Sequence, residues 1–432
     1  MLRAPATVAV VLAATLVACG APPASSDPVP PAPDAPIPAI GTGAFGVVGH
    51  KLYLPQRDKN DAGHAIVAVV DVGVAGNGVD GAPALIHDVD LGGPELATTT
   101  AGDEDLVIAA GTDTSRVWFI DPRTDTVKKT IDLDPSWGKS SFSGGGGVVT
   151  GIAFDRAHRR AILGIYKGFA IVDLDRLAVS RVIEAAPSEN FALDPRTQRL
   201  FAPFYECAQS RDANGTPIGF CDRYKAKTGE TITDGLNVID LTDDTVYTFQ
   251  DPAAPNPWEP LGATPDSAAV DPNAGLVVVP SEEDHQQSVI DFTKATFDKG
   301  ARTVTAPVTR VPNLRHEGVA IEATTHLAFL EEEAAGDIAV FDVAAAARGA
   351  ADVVTATMPD APHGRSWVNM SDPHGIAATS GLLGGRAVGF LVSNDRNWVA
   401  RVDLAKLVAM GKDAALDASP AITMLDARTA PR

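Results

Sequence analysis

The chain has 432 residues, 45% hydrophobic and 21% charged, and its 55 acidic against 35 basic side chains leave a formal net charge of −20. That hydrophobic share belongs to a folding sequence, and the acidic excess excludes a nucleic-acid binder, which needs a basic face to displace counterions from phosphates. With 39 Gly and 32 Pro beside only 3 Cys, the composition points to many turns and not to a miniprotein built on disulfides.

Residues 1–18 read as an export signal peptide. Arg3 supplies the positive start, and the apolar run from Ala6 to Val17 is shorter than the roughly 20 residues of a permanent span. The run ends in Leu16-Val17-Ala18-Cys19-Gly20, which resembles the bacterial lipobox. By that resemblance Cys19 is lipidated and opens the mature chain, several acyl chains holding it to a membrane where one would bind only marginally. Gly20 after the cysteine, in place of Asp, resembles lipoproteins passed on to an outer membrane. Residues 19–41 continue with Pro22, Pro23, Pro28, Pro30, Pro31, Pro33, Pro36 and Pro38, a density that favours an extended tether over any helix. The body, residues 42–432, contains no apolar stretch long enough to cross a membrane as a helix.

One short pattern recurs through that body: apolar residues closed by an aspartate. It appears as Val69-Val70-Asp71, Phe119-Ile120-Asp121, Ile171-Val172-Asp173, Val238-Ile239-Asp240, Val289-Ile290-Asp291 and Val340-Phe341-Asp342, then as Arg401-Val402-Asp403 with one apolar residue lost. Seven copies spaced by roughly 50 to 70 residues mean repeats, and repeats decide the fold before any single motif does. A second column lies upstream: Gly151-Ile152-Ala153-Phe154-Asp155, Asn190-Phe191-Ala192-Leu193-Asp194, Ser267-Ala268-Ala269-Val270-Asp271, Gly318-Val319-Ala320-Ile321-Glu322 and Gly375-Ile376-Ala377-Ala378-Thr379. Each reads as a short strand with a turn after it, and further strands fill the unit, as at Ala161 to Ile165 and Val179 to Glu184. Apolar runs of four to six residues bounded by turn residues exclude a helical solenoid, and a two-sheet sandwich would not generate seven equivalent units. The expected fold is all-β, a seven-bladed β-propeller with four antiparallel strands per blade.

The units resemble the YVTN-type repeats of bacterial seven-bladed propellers, related to the propeller of amine-dehydrogenase heavy subunits. Asp372-Pro373-His374-Gly375-Ile376-Ala377 and His316-Glu317-Gly318-Val319-Ala320 match the strand-opening pattern of that group, and the resemblance covers roughly residues 44–428. It implies a fold and little about function, because this architecture carries many unrelated activities.

Apart from Cys19, the cysteines are Cys207 and Cys221, both inside the longest unit and flanking the turn signal Asn214-Gly215. An exported chain with one such pair is expected to join them as a disulfide, closing a loop worth ~3 kcal/mol in the chain-entropy model. A redox or metal pair would call for a CxxC spacing, which is missing.

In an up-and-down blade the start of strand one and the loop between strands two and three share a face. The resemblance implies that strand one is innermost, so the residues before it ring the mouth of a central channel. They are Thr150, Glu189, Asp266, Glu317 and His374, with His316 and Asp372 close by. Loops expected on the same face are also acidic: Glu282-Glu283-Asp284-His285 and Glu331-Glu332-Glu333. Crowded carboxylates repel and tend to share a cation, and Glu189, Asp266, Glu317 and His374 form the candidate ligand set for Ca²⁺ or, with histidine, Zn²⁺. Acidic loops are also what any solvated surface of so acidic a chain would show. His50, His64, His87, His158 and His326 sit in strands or turns without partner spacing and read as structural or exposed.

Several chemistries are absent from the sequence. The glycines 144–147 are not followed by the Lys-Ser or Lys-Thr of a phosphate loop, and there is no GxSxG elbow, HExxH helix or CxxCH haem site. The sequence offers no complete nucleophile–base set. The preferred reading is therefore a lipid-anchored, exported propeller that binds a small-molecule ligand or protein partner through its channel-mouth face without catalysis. The alternative is a metal-assisted hydrolase or lyase, lactonase-like, with a cation polarising a carbonyl. Propeller lactonases are commonly six-bladed, and this chain lacks their motif set.

Overall fold

The computed structural model describes residues 46–72, 84–111, 114–137, 149–205, 234–257, 259–281, 283–314, 318–331, 338–358, 373–379, 387–393, 398–411 and 422–426. The signal, the tether, Cys19 and the Cys207/Cys221 pair lie outside these residues.

The described strands form seven sheets; in six of them the four founding strands are consecutive in the chain, and in sheet five a hairpin intervenes before the fourth. Sheet one contains Gly46–Val48, Lys51–Lys59, Ala65–Asp71 and Ala84–Asp90, and sheet two Thr99–Gly102, Val107–Ala110, Arg116–Asp121 and Thr126–Asp132. Sheet three is Ile152–Asp155, Arg160–Ile165, Gly168–Asp173 and Ala178–Glu184, and sheet four begins with Ala192–Asp194, Arg199–Phe204, Gly235–Asp240 and Thr245–Gln250. Sheet five is Ala269–Asp271, Leu276–Ser281, Gln286–Asp291 and Val308–Pro312; sheet six is Gly318–Glu322, Leu327–Glu331, Ile338–Asp342 and Val354–Met358. Sheet seven closes the series with Pro373–Thr379, Val388–Ser393, Trp398–Asp403 and Ile422–Asp426. Sheet four is widened by a hairpin, Thr296–Asp298 and Thr303–Thr305, that leaves sheet five and pairs parallel to Thr245–Gln250.

The recurring aspartate has a local cause. All seven end the third strand of their sheet. Asp121 accepts from the Arg123 amide at 2.9 Å, Asp173 from Asp175 and Arg176, Asp240 from Thr242 and Asp291 from Thr293. Asp342 and Asp403 do the same for Ala345 and Lys406, and so cap two short helices, α1 (Val343–Ala347) and α2 (Leu404–Met410). A short carboxylate satisfies amides that a turn would otherwise leave bare. The acids closing the first strands, Asp103, Asp194, Asp271 and Glu322, hold their turns similarly and are buried.

Second and third strands are buried on both faces, which explains their continuous apolar runs, while fourth strands such as Thr126–Asp132 are largely exposed. In four sheets the fourth strand bulges by one residue, Ile86, Lys128, Ser180 or Thr355. Ser180 and Thr355 turn their hydroxyls onto the carbonyls of Ile171 and Val340 at 3.0 Å. Such a bulge twists an outer edge away from pairing with another chain.

Seven apolar clusters lie between sheets. Six join consecutive sheets in order, as where Trp118 of sheet two is enclosed by residues of sheet one and donates its indole N–H to Leu91 O at 3.0 Å. The remaining one joins Val388, Phe390 and Val399 of sheet seven to Leu52, Leu54 and Val70 of sheet one.

Candidate functional site

Strands three and four of the chain's repeats connect on the same side as strands one and two, so the connections between strands two and three gather on the other side with the starts of the first strands. On that side, where sheets three, four and five adjoin, the fold assembles a cluster around Tyr205. The second strand of sheet three ends at Ile165 and presents Tyr166; that of sheet four ends at Phe204 and presents Tyr205. Glu189 precedes the first strand of sheet four, and Asp266 that of sheet five.

The backbone carrying Glu189 is held from sheet three. Thr150 donates its hydroxyl to Ser188 O at 2.6 Å, so this member of the expected ring serves to position the chain. Glycine is required opposite: a Cβ on Gly151 would come within 2.6 Å of Glu189 O, and one on Gly164 within 2.7 Å of the Phe191 ring. Phe191 packs edge-on to Phe169, ring centroids 5.1 Å apart. The segment before Asp266 is fixed by Ser281, whose hydroxyl donates to Ala263 O at 2.7 Å, and by Asp284, which accepts from the Ala263 amide at 2.8 Å. Gly262 adopts φ +91° there, and a side chain on it would collide with Asp284.

Tyr205 is half-buried and donates its hydroxyl to the Glu189 carboxylate. Its phenol is pushed far above the ordinary tyrosine range, first by burial, then by the negative charges of Glu189 and Asp266, then by that hydrogen bond, with Tyr166 adding to the effect. Two carboxylates from different sheets thus flank one neutral phenol. Glu189 itself is exposed and Asp266 half-buried, so the acceptor side of the cluster faces solvent. Such a group of acceptors beside aromatic rings suits a positively charged ligand.

Of the expected mouth residues, the structure therefore brings Glu189 and Asp266 to one place. His316, Glu317 and Asp372 lie outside the described residues, and His374 is placed in the first strand of sheet seven with its side chain undescribed. Among the described residues no three His, Cys, Asp or Glu side chains form a metal-binding group. Glu331, from an expected acidic loop, is buried at 4% exposure and folds over Gly318, its register partner, where a Cβ would collide with the carboxylate. The histidines read as lacking partners each meet a carboxylate instead: His326 with Asp271 at 2.5 Å, His158 with Asp155, His64 with Asp90, His50 with Asp71 and His87 with Asp125. The partner of His158 lies three residues before it in the same turn, whereas the other four come from strands or turns far along the chain, which sequence spacing does not reveal.

Tyr166 and Tyr205 went unnoticed in the sequence. The signal was there: both follow directly on the second strand of consecutive repeats, so they share one place in the repeat.

Among solved structures, the chain is similar to Kuenenia stuttgartiensis hydrazine synthase, with a TM-score of 0.54 at 12% identity, covering 85% of this chain and 97% of that one. It also aligns with Kluyveromyces lactis Hsv2, TM-score 0.47 at 8% identity, covering 84% and 93%. No protein-family model matches the chain, and no curated protein sequence does. The antiparallel four-stranded sheets and the first of these likenesses make this an all-β protein of the β-propeller class. At that identity the likeness speaks to the fold alone.

Proposed function

We propose that the chain is a lipid-anchored, YVTN-type propeller of the bacterial cell envelope, and that it binds a ligand or partner carrying a positive group through the channel-mouth face. Seven blades are supported by the seven sheets and by the clusters that link each sheet to the next and the last to the first. The observation that carries the binding role is the Tyr205 hydroxyl on Glu189 with Asp266 and Tyr166 beside it. In this reading the neutral phenol and the two carboxylates beside it serve to recognise positive charge.

The test is calorimetric titration of the mature protein with Ca²⁺, Zn²⁺ and a primary alkylammonium. At least one cation should bind, and Glu189→Gln with Asp266→Asn should weaken it by about tenfold or more, roughly 1.4 kcal/mol. Absence of binding by all three, or binding indifferent to both substitutions, would overturn the role. Glu317→Ala and His374→Ala extend the test to the four-residue metal set: loss of bound metal and of thermal stabilisation would move the reading toward the metal-assisted hydrolase or lyase. The anchor is tested separately, because Cys19→Ser should release the protein from the membrane fraction and abolish labelling by a fatty-acid analogue.

A further inference from the structure

On the side opposite the channel mouth, the turns of sheets two and three enclose a cleft of about 290 Å³. That is close to the lower end of small-molecule sites, which start near ~300 Å³. Its lining carries three carboxylates, three cations and a narrow apolar wall, the exposed edges of the core residues Leu106, Leu174 and Leu177, each only 5–7% exposed.

Most of the charges are already engaged. Asp103 accepts from two turn amides and from Arg156, Arg123 pairs with Asp105 at 2.8 Å, and Arg159 pairs with Asp175 at 2.9 Å. Two charges remain for a guest. Lys128 is the bulge residue of its strand, exposed, with no hydrogen bond or ion pair among the described residues. The bulge matters because an extra residue re-aims a side chain that a regular ladder would place elsewhere. Asp121 spends Oδ1 on the Arg123 amide and keeps Oδ2. The apolar wall is kept at a conformational cost: Leu177 has φ +49°, a left-handed geometry that the corresponding turns of sheets two and four give to Asp125 and Asp244. Aspartate tolerates that region, whereas a bulky residue is strained in it, and such strain gathers at functional sites.

One free cation, one free carboxylate oxygen and an apolar wall around a small volume define a guest with both charges. We propose that this cleft binds a small zwitterion of the amino-acid type, its carboxylate on Lys128, its ammonium on Asp121 and its apolar side chain against Leu106, Leu174 and Leu177. A simple anion would leave Asp121 facing it, and a simple cation would face Lys128. This site is independent of the channel mouth.

Calorimetric titration of the mature protein with leucine, N-acetyl-leucine and leucine methyl ester tests the assignment. Leucine should bind saturably, and masking either charge should weaken it by about tenfold or more. Lys128→Gln and Asp121→Asn should each produce a comparable loss, with Lys128→Arg retaining binding; asparagine keeps the Oδ1 acceptor of the turn, and Lys128 is exposed, so both variants fold. Lack of saturable binding by leucine overturns the proposal. So does equal binding of leucine and N-acetyl-leucine, which would mean a plain anion site, or unchanged binding by Lys128→Gln, which would place leucine elsewhere.

Discussion

Tyr53 and Tyr205 show how burial and charge act on one kind of group. Tyr53 is fully buried and donates to Asp125 Oδ1 at 2.5 Å, and its phenol is raised far above its usual value by burial, then by that hydrogen bond and by the charges of Asp125 and Asp121. A phenol raised in the folded state contributes stability that is whole below the unfolded value near 10 and is lost as pH climbs from there toward the folded value. Alkaline unfolding should therefore begin near pH 10. Tyr53→Phe and Tyr205→Phe should each flatten that dependence, read by circular dichroism against pH, and phenolate absorbance should show both residues ionising only with unfolding. Asp125 is the node of this corner, since Lys51 also donates to it at 2.6 Å from sheet one. Asp125→Ala strands two buried or half-buried donors and should cost about 1–3 kcal/mol in denaturant unfolding.

At the scale of elements, the turn aspartates make one repeat run into the next. Where a helix follows, the same carboxylate is an N-cap, and Asp403→Ala at the start of α2 should cost about 1 kcal/mol, whereas Asp403→Asn should cost much less. Polar links on the face opposite the mouth tie sheet to sheet: Arg156 to Asp103, Arg160 to Gln198, Arg196 to Pro272 O and His326 to Asp271. The hairpin Thr296–Asp298/Thr303–Thr305 adds a link between sheets four and five, and its Phe297 lies against Tyr247 (5.0 Å) and under Arg199 (4.1 Å). Phe297→Ala should loosen that edge by ~1–2 kcal/mol, with faster amide exchange in residues 296–305. The turn aspartates could be read directly from the sequence because, for six of the seven, the amide partners lie two or three residues on. The widened sheet four could not, because its parallel pairing joins segments about 55 residues apart with no turn between them to announce it.

In the whole molecule, the joint between sheets seven and one is made without a shared strand, since neither of these two sheets takes a strand from the other's stretch of chain. It rests on apolar packing and on Arg401, 6% exposed, which donates to Val72 O at 2.6 Å. Arg401 is the residue that broke the apolar pattern of the last repeat, and the broken pattern marked the seam. Arg401→Met keeps much of the packing but leaves that carbonyl without its donor. It should lower stability by about 1–3 kcal/mol and give the earliest hydrogen exchange in sheets one and seven, because the other joints keep their links.

The sequence by itself determined the strands, their number in each repeat and the turns between them, because those follow from apolar runs and from carboxylates acting on amides two or three positions away. It also singled out Glu189 and Asp266, since both stand at the same step of the repeat. Only the tertiary structure decided that these two meet around Tyr205, that Glu331 is buried over a glycine, and that Lys128 and Asp121 face one cleft. Those neighbours belong to different strands or sheets, and their proximity is set by register, bulges and packing, which no local stretch of residues specifies.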